Sequence, residues 1–314
     1  FYAFAFITAD GQLKYCARDR FGVKPLFVHR RGDYISISSE ASALSDIFGL
    51  DFSDEAFEEY SVFRAPVFYG SYFEGATDVT PGTCLQTGTF FESLDFVADT
   101  YRPIAQVLPQ LDDAIKAAVA SRMIADVPVG LLYSGGIDSN LLDAYTGQSL
   151  PRLTGGFNGD YDVEHLKANF DDRSTALIVS DENFKTRMEA MVKIRKEPLS
   201  VPNEVVLSFL AEEWTKSGGK VLLSGEAADE LFAGYDRIYN MAFAADTLTV
   251  DAFLTAYAYR PLDDISQTIK DKVQMFLDSL AGLSPFEQVR QFFVKKHLPV
   301  LFRRLDFALM YAGV

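Results

Sequence analysis

The chain has 314 residues, 48% hydrophobic and 23% charged, enough at roughly 150 residues per domain for about two ordinary folded domains rather than a disordered polymer. Lys and Arg number 29 against 44 Asp and Glu, a net charge of −15, which argues against a nucleic-acid partner held by phosphate contacts but not against a small anion in a locally favourable cleft. No apolar run approaches the ~20 residues of a membrane span, and two cysteines, Cys16 and Cys84, are too few for a disulfide framework; the expected setting is a reducing cytoplasm with no membrane partner and both thiols in the core.

The chain opens FYAFAFITADG, without Met or a basic leader, and reads as a piece of a longer protein. FYAFAFIT and LKYCAR flank Asp10-Gly11, and PLFVHR and YISIS flank Gly32-Asp33, so each pair reads as an antiparallel hairpin. Short helices are expected at 40–48 and 54–63. A change of grammar falls at 101–107, taken as a linker. Beyond it, LPQLDDAIKAAVASRMI sets Leu108, Leu111, Ile115, Val119 and Met123 at helical spacing, and VPVGLLY follows as a strand. An alternating α/β pattern begins there, and from about residue 240 it becomes helical and rich in Phe and Leu.

Two strand-to-helix junctions stand out. In YSGGIDSN, small residues sit where the apolar strand ends and a helix starts. Glycines there permit positive φ and close approach by a ligand, and the N–H groups of the next helix's first turn favour an anion. The plain alternative is a small-residue turn with Asp138 as a first-turn acid. The junction is no Walker A loop, which ends in Gly-Lys-Ser/Thr; Gly219-Lys220 is followed by Val221. KVLLSGEAADELFAGY repeats the grammar with Glu226, Asp229 and Glu230. In water these acids repel little. In a partly buried turn, which the flanking VLLS and LFAGY suggest, two carboxylates ~6 Å apart at an effective dielectric near 20 repel by ~3 kcal/mol. A divalent cation or protonation relieves that, and Mg²⁺ suits an all-oxygen site shared with phosphates. Parallel strands would present both turns along one sheet edge, where ligands bind.

DVPVGLLYSGGIDSN followed by KVLLSGEAADELFAGY resembles the ATP-pyrophosphatase (PP-loop) synthetase domain of glutamine-dependent asparagine synthetases. ARDRFGVKPLF, SSEASAL and TPGT before it resemble the last part of the class II glutaminase domain of those enzymes. The fold this implies is an α/β parallel-sheet PP-loop domain (adenine nucleotide alpha hydrolase-like) at 108–314, preceded at 1–100 by the C-terminal part of an α+β N-terminal-nucleophile glutaminase domain. The activity it implies is ATP-dependent activation of a carboxylate as an acyl-adenylate, with release of pyrophosphate, then attack by ammonia and release of AMP. Aspartate is the implied carboxylate and glutamine the source of ammonia. Carried over by position, Ser134, Gly135, Gly136, Asp138 and Ser139 hold the pyrophosphate part of ATP, and Leu132 and Gly225 contact adenosine through their backbone. Asp138 and Asp229 hold Mg²⁺, and Glu226 takes a proton from the attacking ammonia. The resemblance leaves room for a homodimer.

The chain also departs from the pattern. Residue 1 is Phe where family glutaminases carry a nucleophilic cysteine, and the glutamine-binding half is absent. YDVEHLKANFDDRSTAL lacks the Asp-Glu pair and later histidine expected around an amino-acid site, and the chain stops at ALMYAGV before a phosphate-facing lysine. The competing readings are a β-lactam-synthetase-like cyclase using the same adenylation and a degenerate, non-catalytic nucleotide-binding module. The three histidines are expected to be surface or structural.

Overall fold

The structure, a computed structural model, describes residues 1–85, 102–168 and 170–314. The domain boundary expected at residue 100 and the first residue of the expected linker, Tyr101, lie outside the described residues. The chain packs as two compact units: Phe1–Phe96 with Arg195–Val201 and Ala227–Asp306, and Val97–Ile194 with Pro202–Glu226 and Phe307–Val314.

In the first unit, β1 (Ala3–Ile7) and β2 (Leu13–Arg18) form one antiparallel hairpin, and β3 (Phe27–Arg31) and β4 (Tyr34–Ser38) form another. Gly11 and Gly32 turn them at φ +81° and +58°, the left-handed backbone that such turns require. Helices α1 (Ala41–Phe48) and α2 (Asp54–Phe63) follow, and β5 (Ala76–Asp78) pairs with the free edge of β3. The ARDRFGVKPLF stretch is a turn held by its own charges. Buried Arg18 donates to the carbonyls of Gly22, Lys24 and Val79 and to Asp78 Oδ1 at 2.6 Å, while Asp19 accepts the N–H groups of Tyr2, Phe21, Val23 and Lys24. A Cβ at Gly22 would lie 2.8 Å from Pro81 and 2.9 Å from the Arg18 guanidinium, so this turn and TPGT are packed together. Cys16 and Cys84 are buried, as expected.

The second unit begins with α3 (Ile104–Arg122), four residues ahead of the expected helix. Pro103 caps it, with Pro109 inside it. Of the expected apolar stripe only Val119 is fully buried, and Leu108 is exposed. Strand β6 (Val129–Leu132) leads into α4 (Ile137–Tyr145); β7 (Arg152–Phe157), α5 (Tyr161–Lys167), β8 (Ser174–Val179), α6 (Asp181–Arg195), α7 (Asn203–Lys216) and β9 (Val221–Leu223) follow. The four strands form one parallel sheet in the order β8-β7-β6-β9. Successive strand residues face opposite sides. A Cβ on Gly155 would meet Val206 and Leu210 of α7, and one on Gly156 would meet Val163 of α5. Helices therefore cover both faces, the α/β arrangement expected.

The chain then returns to the first unit with α8 (Ala228–Phe232), α9 (Asp236–Ala244), α10 (Val250–Tyr257), a 3₁₀ turn at Leu262–Asp264, α11 (Gln267–Asp278) and α12 (Pro285–Phe292); a π-helical turn at Phe293–His297 leads into α13 (Leu298–Met310). Its core joins Val62 and Phe63 of α2 to Phe253, Leu254, Ile269, Val273 and Phe292. Among the described residues no helix is long and apolar enough to cross a membrane.

Glu40, N-terminal to α1, makes no side-chain cap bond. Burial pushes its carboxyl up to about 7, with Arg195 lowering it and Glu197 raising it. Because the folded value lies above the ordinary 4.5, the stability this group contributes is complete below about pH 4.5 and is lost as pH rises through about 7. Thermal unfolding of the wild type should therefore weaken from pH 5 to pH 8 relative to Glu40→Gln. Parallel pH profiles for the two proteins would contradict the assignment.

Candidate functional site

The strand order fixes where the two junctions lie. From β6 the chain moves outward through β7 to β8, then returns to the other side of β6 as β9. The reversal falls between β6 and β9, and open α/β sheets bind ligands at the carboxyl ends of the strands at such a point. The pairs Val129↔Val221 and Leu131↔Leu223 set the two strand ends level, so SGGIDS and SGE leave the sheet side by side. A Cβ on Gly225 would lie 2.9 Å from the Asp138 Cβ; the bare backbone of one loop rests on the side chain of the other.

The first loop is a formed cradle. Leu132 is the buried end of β6. Gly135 takes φ +74°, and a side chain there would run into Leu166. Gly136 caps α4 without a side chain over the helix start, leaving that end to a ligand or water. Ser134 Oγ lies 3.2 Å from Ser139 Oγ, and the Ser139 hydroxyl donates to the Gly136 carbonyl at 3.1 Å. Ser134 is exposed and Ser139 buried; Asp138, in the first helical turn, is half-buried.

Three supporting residues escaped the sequence reading. Asn140 donates to the carbonyls of Gly135 at 2.7 Å and Gly136 at 3.0 Å, and accepts from Tyr133 OH at 2.6 Å. Thr154 donates to the Tyr133 carbonyl. Asn140 ends the quoted motif, and its distance of four residues from Gly136 was the available signal. Thr154 and Leu166 carried none. The nearby cation Arg152 stacks over the Tyr133 ring at 4.7 Å and pairs with Asp171; the Arg152 and Arg173 pairings and the Ser174 hydroxyl hold the Asp171 carboxyl well below its usual range.

The acid motif divides. Glu226 is half-buried beside Gly225 in the second unit, its N–H reaching Ser224 Oγ at 3.3 Å. Asp229 and Glu230 belong to the first unit, on α8. The expected partly buried acid cluster is corrected at Asp229, which is exposed; in water at a helix start its repulsion is small. Its carboxylate lies against Gly234, where a side chain would collide with it. Glu230 is buried, and protein groups meet it: Tyr235 OH donates to its Oε1 at 2.6 Å, and His297 Nε2 is 3.5 Å from the same oxygen. Gly234 also borders a cavity of about 370 Å³ walled by Tyr235, Tyr257, Phe293 and His297. Among the described residues no three His, Cys, Asp or Glu side chains gather as a metal site; a single acid beside phosphate and water oxygens is a donor set that suits Mg²⁺.

Residues 110–314 match the family described as asparagine synthase, and residues 1–93 match the glutamine amidotransferase domain. A protein of Mycobacterium tuberculosis provisionally named as a glutamine-hydrolyzing asparagine synthetase is 31% identical over 258 residues, 74% of this chain and 39% of its own length. The glutamine-hydrolyzing asparagine synthetase 1 of Bacillus subtilis is 30% identical over 254 residues, 75% of this chain and 39% of its own. Amidase chyE of Penicillium rubens is 26% identical over 288 residues, 79% and 41% respectively. The chain thus spans about two fifths of the length of the curated relatives it matches. On the match over residues 110–314, the chain belongs to the asparagine synthase family.

Proposed function

We propose that this chain carries the ATP-binding and amide-forming machinery of an ATP-dependent carbon–nitrogen ligase that amidates a carboxylate, with aspartate as the acceptor and glutamine-derived ammonia as the nitrogen source in the complete gene product, acting in the cytoplasm. Residues 1–100 would be the end of the glutaminase domain and 108–314 the synthetase domain. The observation that supports the reading best is the cradle beside Gly225 at the sheet's reversal point: two loops at adjacent strand ends, one built for an anion and the other pressed against its acid.

In this reading ATP and Mg²⁺ are the small-molecule requirements. N–H groups of the Ser134–Ser139 loop receive the pyrophosphate part of ATP, preorganised by Asn140 and the serine pair so that they cost little reorganisation as charge develops. The backbone at Leu132 and Gly225 flanks the adenosine. Mg²⁺, when bound, neutralises phosphate charge; Asp138 and Asp229 are the residues that would hold it. The substrate carboxylate attacks the α-phosphorus and pyrophosphate leaves. Ammonia then attacks the acyl carbon, AMP departs, and Glu226 takes the proton from nitrogen.

Two outcomes are expected. Gly225→Ala, which forces a methyl against Asp138, should weaken Mg-ATP binding on the order of tenfold, about 1.4 kcal/mol, in calorimetry on folded protein; unchanged affinity would remove Gly225 from the nucleotide site. In the complete gene product, Glu226→Gln should spare carboxylate-dependent pyrophosphate exchange while cutting amide formation by ~10²–10⁴-fold, the usual size of a general-base contribution. Asp229→Asn should slow the exchange itself, whatever the nitrogen source. Equal, mild losses in both partial reactions for both variants would sink the assigned roles.

A further inference from the structure

Helix α8 is five residues long and bounded on both sides by strained alanines: Ala227 at φ +86° and Ala233 at φ +62°. Left-handed backbone is unfavourable for alanine, and so short a helix has no independent stability. Such a conformation persists only where its surroundings over-determine it. Within the first unit the buried side chain of this helix is Glu230, 1% exposed. Its Oε1 accepts the Tyr235 hydroxyl at 2.6 Å and faces His297 Nε2 at 3.5 Å, while Tyr239 OH donates to its backbone carbonyl at 3.3 Å.

The partners are themselves fixed. Tyr257 OH lies 2.5 Å from His297 Nδ1, so the two ring nitrogens face Tyr257 and Glu230. The Tyr235 ring stacks on Phe293 at 4.9 Å and 12°. Phe293 and His297 open and close the π-helical turn between α12 and α13, and such turns recur at functional sites. Both contacts to Glu230 fall on one carboxyl oxygen, Oε1, which accepts from the Tyr235 hydroxyl. Glu230 directly follows Asp229, whose exposed carboxylate lies against Gly234, and Gly234 N–H bonds back to the Asp229 carbonyl at 2.9 Å.

We propose that Glu230, clamped by Tyr235 and His297, is a positioning residue that fixes the strained helix α8 and thereby the aim of the Asp229 carboxylate at a divalent cation. The role rests on the reading of Asp229 as a metal ligand. It assigns work to the one acid of the motif without a chemical role and to a histidine expected to be surface or structural. Removing one hydroxyl or one ring nitrogen from the clamp should loosen cation binding while leaving the aromatic packing in place.

The test uses Mn²⁺ as the probe, titrated by electron paramagnetic resonance into the complete gene product with saturating ATP, beside thermal unfolding. Tyr235→Phe keeps the ring stack, and His297→Asn provides a second, independent lesion. Each should weaken Mn²⁺ about tenfold, in the range of losses from residues that orient a metal ligand, while ATP affinity without metal stays unchanged. Introduced into Asp229→Asn, Tyr235→Phe should add no further loss. If Asp229→Asn weakens Mn²⁺ but both clamp variants bind it normally, the positioning role is overturned and the metal-ligand reading survives. If Asp229→Asn itself leaves Mn²⁺ binding unchanged, the metal-ligand reading fails and takes the clamp's role with it. A fall in unfolding temperature with unaltered Mn²⁺ affinity would mark the network as merely structural.

Discussion

The close approach of Gly225 to Asp138, 2.9 Å from a would-be Cβ, is the constraint on which the candidate site depends. It exists because β9 pairs with β6 in parallel and level register, after a chain that had been building outward on the other side. Any side chain at 225 would push the loops apart. With glycine there, a half-buried acid, a helix start and a second acid at Glu226 share one strand edge. The cradle owes little to charged side chains. Its donors are backbone groups, held by Asn140, Ser134 and Ser139, and the neighbouring arginines are committed to Asp143 and Asp171. In the proposed reading a chain of net charge −15 presents a local anion site, because oriented N–H groups act within a turn's length whereas the net charge is spread over the whole surface.

The motif that follows Gly225 serves two units. Glu226 closes the second, and from Ala227 the chain belongs to the first. Three acids that look alike in sequence therefore meet three environments: half-buried, exposed, and buried under a tyrosine and a histidine. The strained Ala227 and Ala233 flank the helix that carries Asp229 and Glu230, which places the cost of an unusual backbone next to residues assigned chemical work, the pattern expected where geometry is held for function.

Local signals were readable. Asp10-Gly11 and Gly32-Asp33 announce hairpins because only glycine takes those turns without strain, and the helices at 41–48 and 54–63 end at Gly49 and at Arg64 in left-handed conformation. The cradle was legible for the same reason, since Gly135 must adopt positive φ. Long-range placement was not. Nothing in KVLLS tells that β9 crosses to the far side of β6, and the partner of Glu230 is a histidine far along the chain whose approach depends on packing, not pattern. The expected helix opened with the apolar stripe at Leu108, whereas α3 starts at Ile104 behind Pro103 and runs through Pro109. That Ala227–Asp306 packs with the N-terminal unit is likewise a tertiary fact, since an amphipathic helix does not name the surface it will cover.

The central claim is that the paired loops bind ATP so that a carboxylate can be adenylated there. The most direct measurement is exchange of labelled pyrophosphate into ATP by the complete gene product, with and without aspartate, ammonia being absent. The account predicts exchange that requires both Mg²⁺ and the carboxylate and is abolished by changing Asp138 to Asn. Robust exchange by Asp138→Asn, or release of ADP and phosphate in place of AMP and pyrophosphate, would contradict it.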